Sequence, residues 1–338
     1  MKRNTLRPLT GFARSEQGAT SVIIALSLTA LLGLAALVVD MGVAYIKTAE
    51  TQTAADAAVM AAGLMLPVGK DDTARRAAME QTVREYLVKN GVKAETAAEV
   101  TFAQEQDGYY HAVGVNVPAT SETGFAKIFG IREVTFTRGA EARTIPCTTL
   151  SDAVPLSVQE ETLQEIIAQG NISHVVLKYG KNTGEVVNGA FGAVDLDGVK
   201  GGGANDYYSW LYGGYQGKLH IGDVLPIEPG NMAGPTLAGI RLRYEACTHY
   251  RTTGGCTAEH YVAGCPRVMK VPVVVYVNNN KEVKLVGFAA FVLEDYHTYA
   301  AQGYVIGSYV DMVNIGSADG DVTGTAENFG IYSLTLSK

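Results

Sequence analysis

The chain has 338 residues, a formal net charge of -7, 18% charged residues and 47% hydrophobic ones. That acidic, charge-poor balance excludes the basic footprint of a nucleic-acid-binding protein, and the apolar content excludes an intrinsically disordered chain. Glycine and tyrosine are abundant, with 38 and 18 copies, a usage common in β-rich domains outside the cytoplasm.

An uncharged run from Ala19 to Val39 dominates the N-terminus, its only hydroxyl-bearing side chains being Thr20, Ser21, Ser27 and Thr29. A helix rising 1.5 Å per residue needs about 20 such residues to cross a bilayer. Lys2, Arg3, Arg7 and Arg14 precede the run with only Glu16 opposed to them, and Asp40, Glu50 and Asp56 follow it with only Lys47 nearby. Basic residues stay on the cytoplasmic side, so residues 1–18 are expected as a cytoplasmic tail, 19–39 as a transmembrane helix, and the rest outside. A cleaved secretory signal fits less well, because its apolar core is normally shorter and Asp40-Met41-Gly42-Val43 makes a poor cleavage site.

No proline interrupts Asp40 to Leu66, and Val43, Ile46, Ala54, Ala57, Met60, Ala61 and Leu64 fall on one helical face. Pro67 and Gly69 end the pattern. The spacing predicts one continuous rod of roughly 70 Å, lipid-compatible in its first half and amphipathic in its second. Gly33 and Gly42, with Asp40, are the candidate helix-packing positions, since small residues let neighbouring helices approach closely in a bilayer.

Three segments carry a resemblance. Gln17-Gly18-Ala19-Thr20-Ser21-Val22 opens the helix, Val39-Asp40-Met41-Gly42-Val43-Ala44-Tyr45 follows, and then Gln52-Thr53-Ala54-Ala55-Asp56-Ala57-Ala58. Together they resemble the N-terminal module of TadE/TadG-like proteins of the tight-adherence (Flp, type IVc) pilus machinery. The resemblance implies a bacterial inner-membrane protein, single-pass and N-in, that serves pilus assembly and adhesion with Tad-system partners and without catalysis. Two departures stand out. Processing of the prepilin kind would cut after Gly18 and usually requires a Glu where this chain has Ile23, so cleavage is left open. The Asp-x-Ser-x-Ser metal motif of longer TadG-like proteins is missing from the sequence.

From residue 40 to 144 the pattern predicts a helical stalk with a small α+β domain. Asp71-Asp72 caps a helix carrying Ala74, Ala77, Ala78, Val83, Tyr86 and Leu87, which stops at Asn90-Gly91. Alternating segments Glu99 to Gln104 and Tyr109 to Val117 read as a hairpin around Gln106-Asp107-Gly108, with Pro118 ending the second strand. Phe125 to Gly130 is a short helix whose Phe125, Ile128 and Phe129 are expected in the core, and Val134 to Ala142 is a third strand.

Residues 145–338 read as a mostly-β extracytoplasmic domain, so the whole chain is α+β. Its strands are expected at Val175 to Tyr179, Leu219 to Ile221, Val271 to Val277, Val283 to Leu293 and Tyr304 to Val313, with one helix at Glu160 to Gln169. Gly/Asn-rich joints such as Gly201 to Asp206 connect them, and Ile227 to Thr236 forms a Gly/Pro-rich segment.

Cys147, Cys247, Cys256 and Cys265 all follow the apolar run. An even count on an oxidising side points to two disulfides, with three possible connectivities. The expected arrangement joins two of Cys247, Cys256 and Cys265 and ties the third to Cys147. The competing reading is a metal site with the interleaved His249 and His260, against which stands the absence of closely paired cysteines. No catalytic, cofactor or metal residues are assigned. Asp195-Leu196-Asp197-Gly198 and Asp319-Gly320-Asp321 read as turns rather than calcium loops, and His297 pairs with no nucleophile. The alternative function is a membrane-anchored module that binds a surface polymer or a partner protein.

Overall fold

The computed structural model describes residues 16–170, 172–178, 192–199, 203–227, 232–279, 281–294, 296, 304–314, 319–320 and 326–337. The basic tail with Lys2, Arg3, Arg7 and Arg14 lies outside the described residues, as do Gly201, Gly202, residues 228–231, His297 and Asp321.

Helix α1 spans Glu16–Gly63, 48 residues without a break, so the expected rod is present and measures about 70 Å at 1.5 Å per residue. From Thr20 to Val39 the helix has no covering from the rest of the chain. Past Thr51 one face is sealed, with Ala54, Ala55, Ala58, Val59 and Ala62 fully buried. Strand β1 (Val68–Gly69) and helix α2 (Thr73–Lys89) follow. Asp72 caps α2 by accepting a hydrogen bond from the Arg75 N–H at 2.9 Å, and Asn90 with Gly91 at φ +87° ends it. The face that α2 buries is Met79, Val83 and Leu87, while Tyr86 is exposed.

Strands β2 (Glu99–Gln106) and β3 (Tyr109–Glu122) form the expected hairpin. Its two-residue turn, Asp107-Gly108, holds both residues at positive φ, as the favoured tight hairpin turns require. Strand β3 does not stop at Pro118. It continues because β2 ends opposite Asn116, so the outer side of β3 is an edge from there on and a missing N–H costs no ladder bond. A one-turn 3-10 helix, Ala126–Phe129, leads to β4 (Glu133–Leu150). Strand β4 is longer than expected and passes straight through position 145.

The remaining elements are β5 (Val158–Gln159), α3 (Glu160–Ala168), β6 (Val175–Lys178), α4 (Gly203–Gly213), β7 (Leu219–His220), β8 (Val224–Pro226) and α5 (Ala233–Glu245). Then come β9 (Val268–Val277), β10 (Glu282–Leu293), β11 (Val305–Val310), β12 (Met312–Val313), β13 (Asp319–Gly320) and β14 (Ile331–Ser337). The first sheet runs β1-β3-β4-β14-β12, with β2 on the outer side of β3 and with β7 and β13 on β4. The second runs β5-β9-β10-β11-β6, with β8 on β10.

Strand β10 explains how the second sheet is buried on both faces. After Gly287 it sends Ala289, Phe291 and Leu293 into one core with α3, α4 and α5, and Phe288, Ala290 and Val292 into another. Before Gly287 the parity is reversed, with Val283 and Leu285 in the second core. A register shift between Leu285 and Gly287 inserts the extra residue that switches the faces. A third core joins α1, α2 and the first sheet through Ala58, Val59, Met79, Val83, Val113, Val115 and Ala142.

Two helices go beyond the expected elements: α4 begins within the stretch read as a Gly/Asn-rich joint, and α5 within the Gly/Pro-rich segment. In α4, Tyr207 and Leu211 are buried, and in α5 Thr236, Gly239, Ile240 and Arg243. The Tyr207 hydroxyl and the Thr236 Oγ1 share a hydrogen bond at 3.0 Å that joins the two helices. Arg243 reaches the carbonyls of Leu211 and Pro266 from a buried position.

Candidate functional site

Three places combine polar chemistry with a defined geometry, and the first lies where α1 leaves its uncovered half. Asp40 is buried at the base of the β3–β4 connection. Its Oδ1 accepts the Gly124 N–H at 2.7 Å, and its Oδ2 accepts those of Phe125 at 2.9 Å and Ala126 at 2.6 Å. Three successive N–H groups at the start of a short helical turn form a natural carboxylate cradle. Gly124 belongs there because a Cβ would come within 3.1 Å of Oδ1. Asp40, expected as a helix-packing residue, thus packs its helix against a loop of its own chain.

About three turns further along α1, Gln52 donates both to Asp56 Oδ1 at 2.8 Å and to the Gly139 carbonyl at 3.1 Å. The alanines between and after them carry no side chain beyond Cβ, which lets α1 lie close on β3 and β4. Gln52, Ala54, Ala55, Asp56 and Ala58 therefore have a common purpose in docking the rod. Gly33 and Gly42 are different. Nothing of this chain lies within 4 Å of where a Cβ would sit on either.

The connection held by Asp40 is apolar on its outside. Ile128 is 80% exposed and Phe129 78%, and Phe125 and Ile131 are exposed beside them. The expectation that Phe125, Ile128 and Phe129 form core is overturned. Only Ala126 of the short helical turn is buried, because Asp40 draws the backbone of the turn inward and leaves its large side chains facing out.

The second place lies between α5 and β9. Cys247, His249, Cys256 and Cys265 bring one ligand atom each into a group whose members all lie within 4.8 Å of one another. Cys256 and Cys265 are buried, Cys247 half-buried. The His249 Nδ1 is buried with no hydrogen-bond partner among the described residues. Burial raises the Cys247 thiol, but the Cys256 N–H and the Cys265 thiol directed at its sulfur outweigh this and lower it to about 6. Burial drives Cys265 the other way, to about 12. Cys147 is not in the group. It sits buried on β4 with its thiol donating to the Thr149 carbonyl at 3.2 Å. None of the four cysteines is bridged, and His260 also stays outside the group, 6.4 Å from the Tyr250 ring.

Arg267 closes this site. It donates from Nη1 to the Gly254 carbonyl at 2.9 Å and from Nε to the Leu293 carbonyl at 3.2 Å, and its guanidinium lies 4.0 Å from the centre of the Tyr244 ring. No carboxylate pairs with it among the described residues. Gly255, at φ +100°, has no room for a Cβ, which would collide with Arg267 and touch Cys247 Sγ at 3.5 Å.

The third place is a cleft of about 830 Å³ between the first sheet and the C-terminal strands, lined among others by Tyr109, His111, Arg143, Tyr309 and Tyr332. His111 and Tyr332 face each other at 5.7 Å, and the Arg143 Nε is buried without a hydrogen-bond partner among the described residues. Elsewhere, Asp197 accepts the Val199 N–H at 2.8 Å around Gly198 at φ +72°, so that segment is the Asx turn expected.

The clustering of Cys247, Cys256 and Cys265 is visible in the sequence, but their spacing lacks the close pairs of familiar zinc motifs, and Cys-x-His at 247–249 is the one short-range ligand pair among them. Nothing in the sequence marks Arg267 as part of it. Among known proteins, residues 18–76 match the family model of the TadE/G-like Flp pilus-assembly proteins, Tad. That interval covers the uncovered half of α1, Asp40, the Gln52–Ala58 segment and the start of α2. No curated protein and no solved structure matches the chain.

Proposed function

We propose that this protein is a membrane-anchored, non-catalytic component of a Tad-type pilus system, acting in pilus biogenesis and adhesion at the bacterial inner membrane. The observation that carries the reading is the coincidence of the matched interval with the rod: residues 18–76 contain the apolar half of α1 and the residues that dock its other half. Residues 19–39 cross the bilayer once, with the N-terminal tail inside and the folded part outside. Gly33 and Gly42 present open helix faces to other apolar helices of the system, where close approach is driven by packing.

The Asp40 cradle fixes how the folded part stands on the membrane. It sits one residue beyond Val39, so the exposed Phe125, Ile128, Phe129 and Ile131 lie at the level where α1 leaves the hydrocarbon. Lipid headgroups and acyl boundary cover such side chains in this reading, and aromatic residues are favoured at that depth. Deleting the gene and imaging surface pili, with an adhesion assay, tests the proposal. Loss of pili restored by the wild-type gene supports it, and unchanged piliation and adhesion refute it.

The cleft lined by Tyr109, His111, Arg143, Tyr309 and Tyr332 favours a second reading, a binding module for a surface polymer or partner. Stacking on tyrosine and a charge from Arg143 suit such a ligand. An Arg143→Ala variant that keeps pili but loses adhesion would select this reading.

A further inference from the structure

We propose that Cys247, His249, Cys256 and Cys265 bind one structural zinc ion that organises the segment between α5 and β9. Structural zinc takes four ligands in a tetrahedron, with Cys3His among its common sets, at about 2.3 Å to sulfur and 2.0–2.1 Å to nitrogen. Thiolate and imidazole together select zinc over the hard cations. Here three sulfurs and one imidazole converge with their ligand atoms within 4.8 Å of one another, so only a slight contraction brings all four onto one ion.

Three further observations agree. The first is the His249 Nδ1, a buried ring nitrogen that has no hydrogen-bond partner among the described residues. Leaving such an atom unmatched is costly, and a metal ligand is the role that gives it a partner. The second is the connection itself. Between Glu245 and Val268 the chain has no regular element except the turn Arg251–Thr253. Irregular connections longer than about 12–15 residues are uncommon inside compact domains. This one is wound tightly, with Tyr250, Gly254 and Gly255 all at positive φ, and it buries Cys256 completely. The segment touches the second core only through Tyr261, the small Ala258 and Ala263, and the three cysteines themselves, and four ligands on one ion would supply the rest of that order.

The third observation is charge. Zn²⁺ with three thiolates and a neutral imidazole leaves one net negative charge. A buried charge needs a counter-charge, and the buried Arg267 is in place, pressed over Gly255 beside Cys247. It has no carboxylate of its own among the described residues. A disulfide uses the group less completely. It joins two of the three thiols, strands the third and the imidazole, and finds no second partner, because Cys147 lies elsewhere on β4.

The test uses the full chain, produced with its export route, extracted in detergent and purified without chelator or added reductant. Elemental analysis should give one zinc per chain, and denaturation in chelator should release four titratable thiols. Cobalt(II) loaded in place of zinc should show the visible bands of a tetrahedral thiolate site. Those bands should change in His249→Cys, which keeps four ligands, and persist in Cys147→Ser, which leaves the group intact. His249→Ala should lose its zinc to a competing chelator that the wild-type protein resists. A disulfide between any two of Cys247, Cys256 and Cys265 in the non-reduced peptide map overturns the proposal, and so does a folded wild-type chain that carries no zinc. Because both of these measurements are made on the wild-type chain, they decide the question even where a variant does not fold. Piliation does not enter the readout, so the result stands apart from the pilus assignment.

Discussion

Asp40 turns the point where α1 leaves its uncovered half into a joint. A single carboxylate with three N–H donors is stronger than three separate neutral bonds, because the acceptor is ionised. Asp40→Asn keeps one oxygen of the two and Asp40→Ala keeps none. Hydrogen exchange in detergent micelles should therefore show graded loss of protection at Gly124, Phe125 and Ala126, wild type above Asn above Ala. Equal protection in all three proteins would mean that the carboxylate does not hold this loop. At this same scale the sequence is only half legible. Asp40 stands out by its place in the matched motif, but its partners are more than 80 positions away, and no local pattern announces a contact of that range. The cysteines pose the opposite problem. Their clustering at 247, 256 and 265 is plain in the sequence, yet His249 enters the group and His260 does not, a choice that spacing alone does not make.

Among the elements, the length of α1 is readable but its buried face is not. Of the face expected, Val43, Ile46 and Leu64 are exposed, and Ala55, Ala58, Val59 and Ala62 join Ala54 in the core instead, because the sheet sets which side is covered. Its second half is where continuity can be tested. Ala54 is fully buried against β3 and β4, and Ala54→Pro removes a helical hydrogen bond and forces a ring into closed space. We expect a loss of about 3 kcal/mol or more, measured by denaturation in detergent; wild-type stability would mean that the helix is not continuous there. The short turn at Ala126–Phe129 is readable in type but not in environment. Phe, Ile and Phe at close spacing signal a core when only water and protein are considered, and a bilayer is a third solvent. With the native Trp210 replaced by Phe so that it does not contribute, Phe129→Trp in vesicle-reconstituted protein should give blue-shifted emission quenched by brominated lipid, and adding Ile128→Glu should abolish the quenching. Emission typical of water in the first protein would leave the apolar tip unexplained by the membrane. Helices α4 and α5 are illegible for a different reason. Gly203, Asn205, Gly234 and Pro235 are poor formers by intrinsic propensity, and both helices exist because Tyr207, Leu211 and Ile240 find a sheet to cover.

For the whole molecule, the α+β arrangement follows from the order of elements, while the weaving of the two sheets does not. Strand β4 serves both the membrane-proximal half and the C-terminal half, so a composition change near Pro146 marks a change of neighbours along one strand. Membrane topology can be tested directly on the intact chain. A reporter fused after Lys338 should be active only outside the cytoplasm, and replacing Lys2, Arg3, Arg7 and Arg14 together should scramble the orientation. Cytoplasmic activity of the unaltered fusion would overturn the N-in assignment.

The last strand, β14, lies against β4 from Glu141 to Pro146 and puts Leu334 beside Gly63 at the end of α1. Two elements far apart in the sequence, α1 and β14, are therefore neighbours. During synthesis α1 is complete long before β14 is made, so the sheet beneath it is missing a member until Ile331–Ser337 is in place. Assembly of this sheet thus waits for β14, and β4 meanwhile presents an open edge on which another strand could settle. Chains cut short anywhere before Ile331 should keep their anchor, yet they should be the ones that quality-control proteases find first.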